Sequence, residues 1–214
     1  MPTKLPLYEG GQAPCSAIEQ ASPRILSKGC KACELWRGCA TVCMGGDGKP
    51  GGLLVVGDYP GRNEDDTGRP WSGAAGQFVR ALVTKHWTGP VVYDAGAIRC
   101  APGGAVDKLL LKSVTACRPH LVTVLQDARP TRILAMGSYA IAALTGRSMP
   151  PLSVRRGYTW TKVNGQETPV YLLPNPAGVS RNRFLRAGLE RDLLWALTSE
   201  LPFKPQWGAV AWVV

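Results

Sequence analysis

Three groups of residues in this 214-residue chain have types and spacings that can do chemistry. The first is an acid behind an apolar run, Leu53-Leu54-Val55-Val56-Gly57-Asp58-Tyr59-Pro60-Gly61. The run reads as a buried strand. A carboxylate just past the C-terminal end of such a strand is where an α/β protein places its chemistry. It can activate a water or oppose positive charge developing on a substrate, or it can simply cap the strand end or form a turn. The second group is a run of thiols, Cys30, Cys33, Cys39 and Cys43, spaced Cys-x2-Cys-x5-Cys-x3-Cys, with Cys100 and Cys117 further on and Cys15 apart. A Cys-x-x-Cys pair in an intracellular chain points to metal or redox chemistry before a disulfide. Four local sulfurs, Cys30, Cys33, Cys39 and Cys43, would satisfy zinc. The third is a loop behind another apolar run, Pro174-Asn175-Pro176-Ala177-Gly178-Val179-Ser180-Arg181.

The elements that position these groups follow from periodicity and punctuation. Residues 53–56 and the first part of 91–100 read as strands. Ala75 to Lys85 and residues 107–128 read as helices, the second with Pro119 as a break or kink. Arg132 to Gly137 is a third strand, and Ser138 is placed to cap the helix Tyr139 to Leu144. Tyr158 to Val163, the turn Asn164-Gly165 and Thr168 to Leu173 form a hairpin. Phe184 to Leu197 is an amphipathic helix. The glycine-rich 45–52 reads as a linker, Arg62 to Arg69 as a polar loop, and Trp207 to Val214 as an extra strand. This alternation predicts a three-layer α/β/α sandwich around a mainly parallel four-stranded sheet. Parallel topology puts the loops 57–73 and 174–183 on one edge. We divide the chain into a loosely ordered lead-in (1–27), one α/β domain (28–201) and a tail (202–214).

Composition narrows the function classes. The chain is 45 % hydrophobic, which is globular, and no apolar run approaches the length of a membrane span. No charged-then-apolar leader pattern opens it, so the expectation is a soluble, cytoplasmic protein that is not secreted. Oligomeric state is left open, with a monomer as the default for such a fold, and a DNA partner would make the protein nucleoid-associated. The net charge of +10, from 25 Lys and Arg against 15 Asp and Glu, suits a polyanion partner such as DNA. Its bland alternative is solubility. No nucleotide-cofactor motif is present.

The stretch Gly57-Asp58-Tyr59-Pro60-Gly61-x-x-Glu64-Asp65-x-x-Gly68-Arg69-Pro70-Trp71-x-Gly73-x-x-Gly76 resembles the first motif of the iron–sulfur (family 4) uracil-DNA glycosylases. Arg99-Cys100-x-Pro102, Cys117-Arg118-Pro119-His120-Leu121 and Pro130 to Ala140 resemble further motifs of that family, in unbroken order over residues 28–198. The loop Asn175 to Arg181 is similar instead to the mismatch-specific (thymine/uracil) branch of the superfamily. The resemblance implies a base-excising enzyme with a [4Fe–4S] cluster, whose four thiolates map onto Cys30, Cys33, Cys100 and Cys117. Cys39 and Cys43 would then be buried packing, and Cys15 would have no specific role.

The same resemblance assigns the site. Asp58 stands at the position of the family's catalytic Glu, one methylene shorter. Asn175 stands where the family has a His that stabilises the departing base. Gly57, Tyr59, Gly61, Trp71 and Gly96 fall at base-binding positions, with Trp71 as the aromatic platform in place of a Phe. Gly96 replaces the Asn that reads the pyrimidine edge and is expected to open space. Gly137 and Ser138, at a helix N-terminus, are a candidate phosphate seat. Ser180, Arg181 and Arg183, beside Asn182, are candidate DNA contacts, with Arg181 as a wedge or phosphate ligand. The expected activity is monofunctional hydrolysis of the N-glycosidic bond of a uracil-like, mismatched or modified base, leaving an abasic site, in DNA repair or modified-DNA processing. The alternative is a non-excising DNA-binding protein that kept the fold and cluster.

Overall fold

Four strands run parallel at the centre of the sheet, and their alternating side chains build both halves of the core. The computed structural model of the chain describes residues 29–105, 107–146, 157–179, 182–200 and 211–212. The strands are β1 (Asp47–Gly48), β2 (Leu53–Val56), β3 (Val91–Asp94), β4 (Arg132–Met136), β5 (Gly157–Val163), β6 (Gln166–Leu173) and β7 (Ala211–Trp212). They lie in the order β1-β3-β2-β4-β6-β5-β7. Pairing is parallel from β3 through β2 and β4 to β6, and antiparallel where β1 joins β3 and where β5 joins β6 and β7.

The expected four-stranded sheet is therefore a four-stranded parallel centre with antiparallel edges, seven strands among the described residues. Asp47-Gly48, read as linker, is paired to β3. The hairpin turn at Asn164 and Gly165 has φ of 51° and 80°. Those values are a type I′ geometry, which Asn-Gly adopts at low cost.

Side chains alternate across the pleat with period two. Leu54, Val56, Val92, Ile133, Ala135, Val170 and Leu172 face the layer made by α3 (Asp107–Ala128) and α4 (Ser138–Thr145). Leu53, Val55, Tyr93, Leu134, Met136, Tyr171 and Leu173 face the layer made by α2 (Ala74–His86) and α6 (Arg183–Thr198). This is the expected α/β/α sandwich. α3 passes through Pro119 without interruption, so the expected break is absent. Residues Arg62–Thr67, read as loop, form the short helix α1. Asn182 caps α6, accepting from the N–H groups of Phe184 and Leu185.

The chain leaves β2 for β3 across one face, then returns from β3 to β4, on the other side of β2, across the opposite face. That reversal opens a crevice at the carboxyl ends of β2 and β4, the usual ligand position of such sheets. The lead-in 1–27 and nearly all of the tail 202–214 lie outside the described residues. Among the described residues no helix is long and apolar enough to cross a membrane.

Candidate active site and thiol cluster

Asp58 leaves β2 directly into the crevice. It is 6 % exposed. Its Oδ1 accepts the backbone N–H of Tyr139 at 2.8 Å and of Ala140 at 3.0 Å, in the first turn of α4. Its Oδ2 accepts Nδ2 of Asn175 at 2.7 Å. Burial raises the Asp58 pKa most, while the Ala140 N–H, the Asn175 amide and the Tyr139 N–H pull it back. Of roughly four lone-pair positions on a carboxylate, three are taken, leaving one on Oδ2. Gly137 makes this approach possible, because a Cβ there would fall inside the Asp58 carboxylate. With φ of 113°, Gly137 also adopts a conformation that suits glycine alone.

This geometry overturns two readings. Ser138 does not cap α4; Gly137 precedes the helix and the cap is Asp58, from 81 residues away in sequence. The expected phosphate seat at Gly137 and Ser138 is disfavoured as well. The Gly137 N–H donates to the Leu173 carbonyl and those of Tyr139 and Ala140 to Asp58, whose charge opposes a phosphate.

Asn175 begins the turn into α5 (Pro176–Val179). Its Oδ1 accepts the N–H of Ala177 at 2.8 Å, which fixes the amide with Nδ2 toward Asp58. Trp71 faces both cavity and core. It is 8 % exposed, packs with the α2 and α6 layer, and donates Nε1–H to the Asp94 carbonyl at 2.8 Å. Its sequence neighbours are polar, yet the indole folds back under its own loop. Its ring covers Gly57, where a Cβ would stand 3.1 Å from Cζ2. Tyr59 is 38 % exposed and sits 6.1 Å, centroid to centroid, from Tyr139. It stands at the cavity mouth.

Gly96 does not open space. Its φ is 130°, and a Cβ would stand 2.6 Å from the Gly57 carbonyl oxygen. The neighbouring Ala95 lines the cavity instead. Gly61 and Gly73 are covered by Glu64, whose Oε1 accepts the Gly73 N–H at 2.7 Å. The resulting cavity, of about 870 Å³, is lined by Asp58, Tyr59, Trp71, Ser138, Asn175 and Leu185 among others. That volume is ample for a nucleobase and its sugar. Ser180, Arg181 and the side chain of Arg183 lie outside the described residues.

Six cysteines and one histidine gather beside this cavity. None of the six described cysteines is in a disulfide. The Cys33 thiol is hydrogen-bonded to Cys117, which lowers the pKa of Cys33 and raises that of Cys117. Cys39 is hydrogen-bonded to Cys100, and burial pushes Cys100 up to about 12. The Cys43 N–H donates to Cys100 Sγ at 3.4 Å. Cys30 Sγ lies 3.7 Å from His120 Nε2, and Cys30, Cys43 and His120 hold their donor atoms within 4.8 Å of one another. The two sets read from sequence therefore interleave: both Cys39 and Cys43 stand among the thiols of Cys30, Cys33, Cys100 and Cys117. His120 went unassigned, although Cys117-x-x-His120 puts both on one helix face.

Cluster and cavity share fixed connections. Asp65, on α1, accepts the N–H groups of Ala40 and Thr41 at 3.0 and 2.8 Å, between Cys39 and Cys43. Arg99 is wholly buried. Its Nη2 meets Asp94 at 2.8 and 3.0 Å, and its Nη1 donates to the Met44 carbonyl at 2.7 Å. Asp94 in turn carries Trp71 on its own carbonyl.

A family profile described as the Uracil DNA glycosylase superfamily matches residues 46–198. The chain belongs to that superfamily. Among curated proteins it is similar to a type-4 uracil-DNA glycosylase of Sulfurisphaera tokodaii, 30% identical over 82% of this chain and 81% of the relative. It is also similar to type-4 uracil-DNA glycosylases of Pyrobaculum aerophilum, 30% identical over 78% of this chain and 88% of the relative, and of Archaeoglobus fulgidus, 27% over 76% and 84%. The superfamily match spans β1 to α6, and so contains the Asp58 and Asn175 loops.

Proposed function

We propose that this protein is a DNA glycosylase that hydrolyses the N-glycosidic bond of a flipped pyrimidine. The observation that carries the reading is the Asp58–Asn175 pair, set in a buried crevice against the wall made by Trp71. A flipped base enters the cavity and stacks on that wall. As the bond to C1′ lengthens, its electrons pass to the base and positive charge builds on the sugar. Asp58 opposes that charge, and its remaining lone pair holds the attacking water. The water oxygen bonds to C1′, and its proton leaves to solvent and then to the base. Asn175 spends one amide hydrogen on Asp58; we assign the other to the departing base. Because Gly96 leaves no side chain to read the pyrimidine edge, we extend the substrate class to mismatched or modified pyrimidines. The net charge of +10 suits a DNA partner.

We assign the thiol cluster to a [4Fe–4S] centre on Cys30, Cys33, Cys100 and Cys117. The donor chemistry fits: the thiols are buried or half-buried, free of disulfides and more than sufficient in number. Such a centre would act as a structural clamp on the loops tied to Asp65 and Arg99. A zinc ion on Cys30, Cys33, Cys39 and Cys43 is the competing assignment, and iron, sulfide and zinc contents of anaerobically purified protein separate the two.

One observation favours a second reading, a non-excising DNA-binding protein. Asp58 is so fully engaged as the cap of α4 that a purely structural role accounts for it. The deciding experiment is alkaline strand cleavage on oligonucleotides bearing uracil, mispaired thymine, hydroxymethyluracil and bulkier pyrimidines, with Asp58→Asn in parallel. Cleavage that disappears in the variant supports the glycosylase. Tight binding with no cleavage on any strand supports the second reading.

A further inference from the structure

The metal-ligating side chains on this face outnumber what one cubane uses. A [4Fe–4S] centre takes four protein ligands, one to each iron. Seven donors gather here, and three of them share a single corner: Cys30 Sγ, Cys43 Sγ and His120 Nε2, all within 4.8 Å of one another. The spacing has a chemical meaning. An iron bound at about 2.3 Å by sulfur or 2.0 Å by nitrogen can be reached from either of two donors that stand this close. Cys30 Sγ and His120 Nε2 stand 3.7 Å apart, so a small side-chain shift lets either donor meet the same iron position. They come from separate parts of the chain. Cys30 precedes the 3-10 turn Glu34–Arg37, Cys43 lies beyond that turn, and His120 is in the middle of α3. Cys43 and His120 are both buried, so neither donor is a chance surface neighbour.

We propose that Cys43 and His120 are reserve ligands at the Cys30 corner of the metal centre. The inference rests on the iron–sulfur assignment above. One of the three donors binds the corner iron at a time. If Cys30 is lost, Cys43 takes the corner as its thiolate, releasing its proton to solvent, or His120 takes it as neutral imidazole; no electron is exchanged. Nitrogen ligation raises the reduction potential of an iron–sulfur centre, so the substitution has a spectroscopic signature.

The test uses the full chain, purified anaerobically. Its readouts are iron and sulfide content, visible absorption, and electron paramagnetic resonance after reduction. Cys30→Ala is expected to keep most of its iron with an altered spectrum, whereas Cys33→Ala made together with Cys39→Ala, which removes the extra thiol beside Cys33 and Cys100, loses it. Adding Cys43→Ala and His120→Ala to Cys30→Ala is expected to abolish iron binding. Loss of iron from Cys30→Ala as complete as from the Cys33→Ala, Cys39→Ala pair, in protein that remains folded by circular dichroism, would overturn the proposal. Should Cys30→Ala not fold, Cys43→Ser with His120→Gln in the intact Cys30 background decides. It should surrender iron to a chelator about tenfold faster than the parent, and an unchanged rate overturns the proposal. A parent protein with no iron at all overturns the cluster assignment itself, which is a different result from any of these.

Discussion

Asn175 donates its side-chain amide to Asp58 at 2.7 Å across the end of β4, joining two strands that do not pair with each other. The contact closes the crevice over Gly137 and fixes both loops at once. It also makes the protonation of Asp58 depend on Asn175. Burial raises the Asp58 pKa above the ordinary aspartate value, and three donors oppose that rise.

The first prediction follows from that balance. Only the ionised carboxylate opposes a sugar cation, so base release falls on acidification at a pH above the ordinary aspartate range. Asn175→Ala removes a donor that favours the ionised form, and the acid limb then moves to higher pH. Profiles of kcat/KM against pH for the two proteins check this. An unmoved limb would exclude Asp58 as the titrating group. For stability the sign is the same as for any acid whose pKa is raised on folding. The contribution is present below the unfolded pKa and is lost as pH rises through the folded one.

Restoring the family's Asn at position 96 should fail. The φ of 130° and the 2.6 Å approach to the Gly57 carbonyl leave no place for a side chain. Gly96→Asn is expected to cost about 3 kcal/mol or more through backbone strain and overpacking. It should shift the Asp58 loop rather than sharpen uracil recognition. Urea unfolding gives the cost. A variant as stable as the parent with better uracil discrimination would show that the loop can turn Asn into the cavity.

The buried ion pair gives a third. Arg99 and Asp94 are both fully buried, and each holds a further contact, Arg99 to Met44 and Asp94 to the loop at Gly96. Arg99→Met strands a buried carboxylate and should cost about 3–5 kcal/mol in urea unfolding. Adding Asp94→Asn should recover part of that loss, since an amide does not carry the stranded charge. A single-variant loss below about 1 kcal/mol would mean that water or a neighbour compensates Asp94.

The parts of this molecule that were legible in the sequence are those set by local pattern. The apolar runs at 53–56 and 132–136 are strands because nothing in them tolerates solvent, and Asn164-Gly165 is a hairpin turn because few other pairs adopt its φ angles. What was not legible depends on chain segments that meet only after folding. Asp47-Gly48 is a strand because β3 offers it an edge. Gly96 reads as a vacancy until Gly57 is seen against it. Ser138 has the type for a cap, and a carboxylate 80 residues upstream takes the position. Trp71 lies in a polar stretch, and only the Asp94 carbonyl and the α2 layer draw it inward. Among the cysteines, spacing suggested the local set Cys30, Cys33, Cys39 and Cys43 and the family resemblance suggested Cys30, Cys33, Cys100 and Cys117, whereas the fold brings six together with His120.

The mouth of the cavity carries the last prediction. Phe184 is 73 % exposed in the first turn of α6, where the Asn182 cap fixes its backbone. Next to it, Leu185 lines the cavity. An exposed apolar side chain beside a base-sized cavity is suited to enter the gap left by a flipped nucleotide. Phe184→Ser should therefore weaken binding to a mismatched duplex more than to a matched one. It removes no charge, so the slope of log affinity against log salt should not change. Arg62 lines the same cavity and has a largely exposed side chain paired weakly with Asp66 at 3.9 Å. Arg62→Ala should lower that slope by about 0.9 and weaken matched and mismatched duplexes equally, as loss of one phosphate contact does. Fluorescence anisotropy across a salt series separates the two effects. If Phe184→Ser changes the slope, or weakens both duplexes alike, the residue supports the mouth of the cavity and does not enter the DNA.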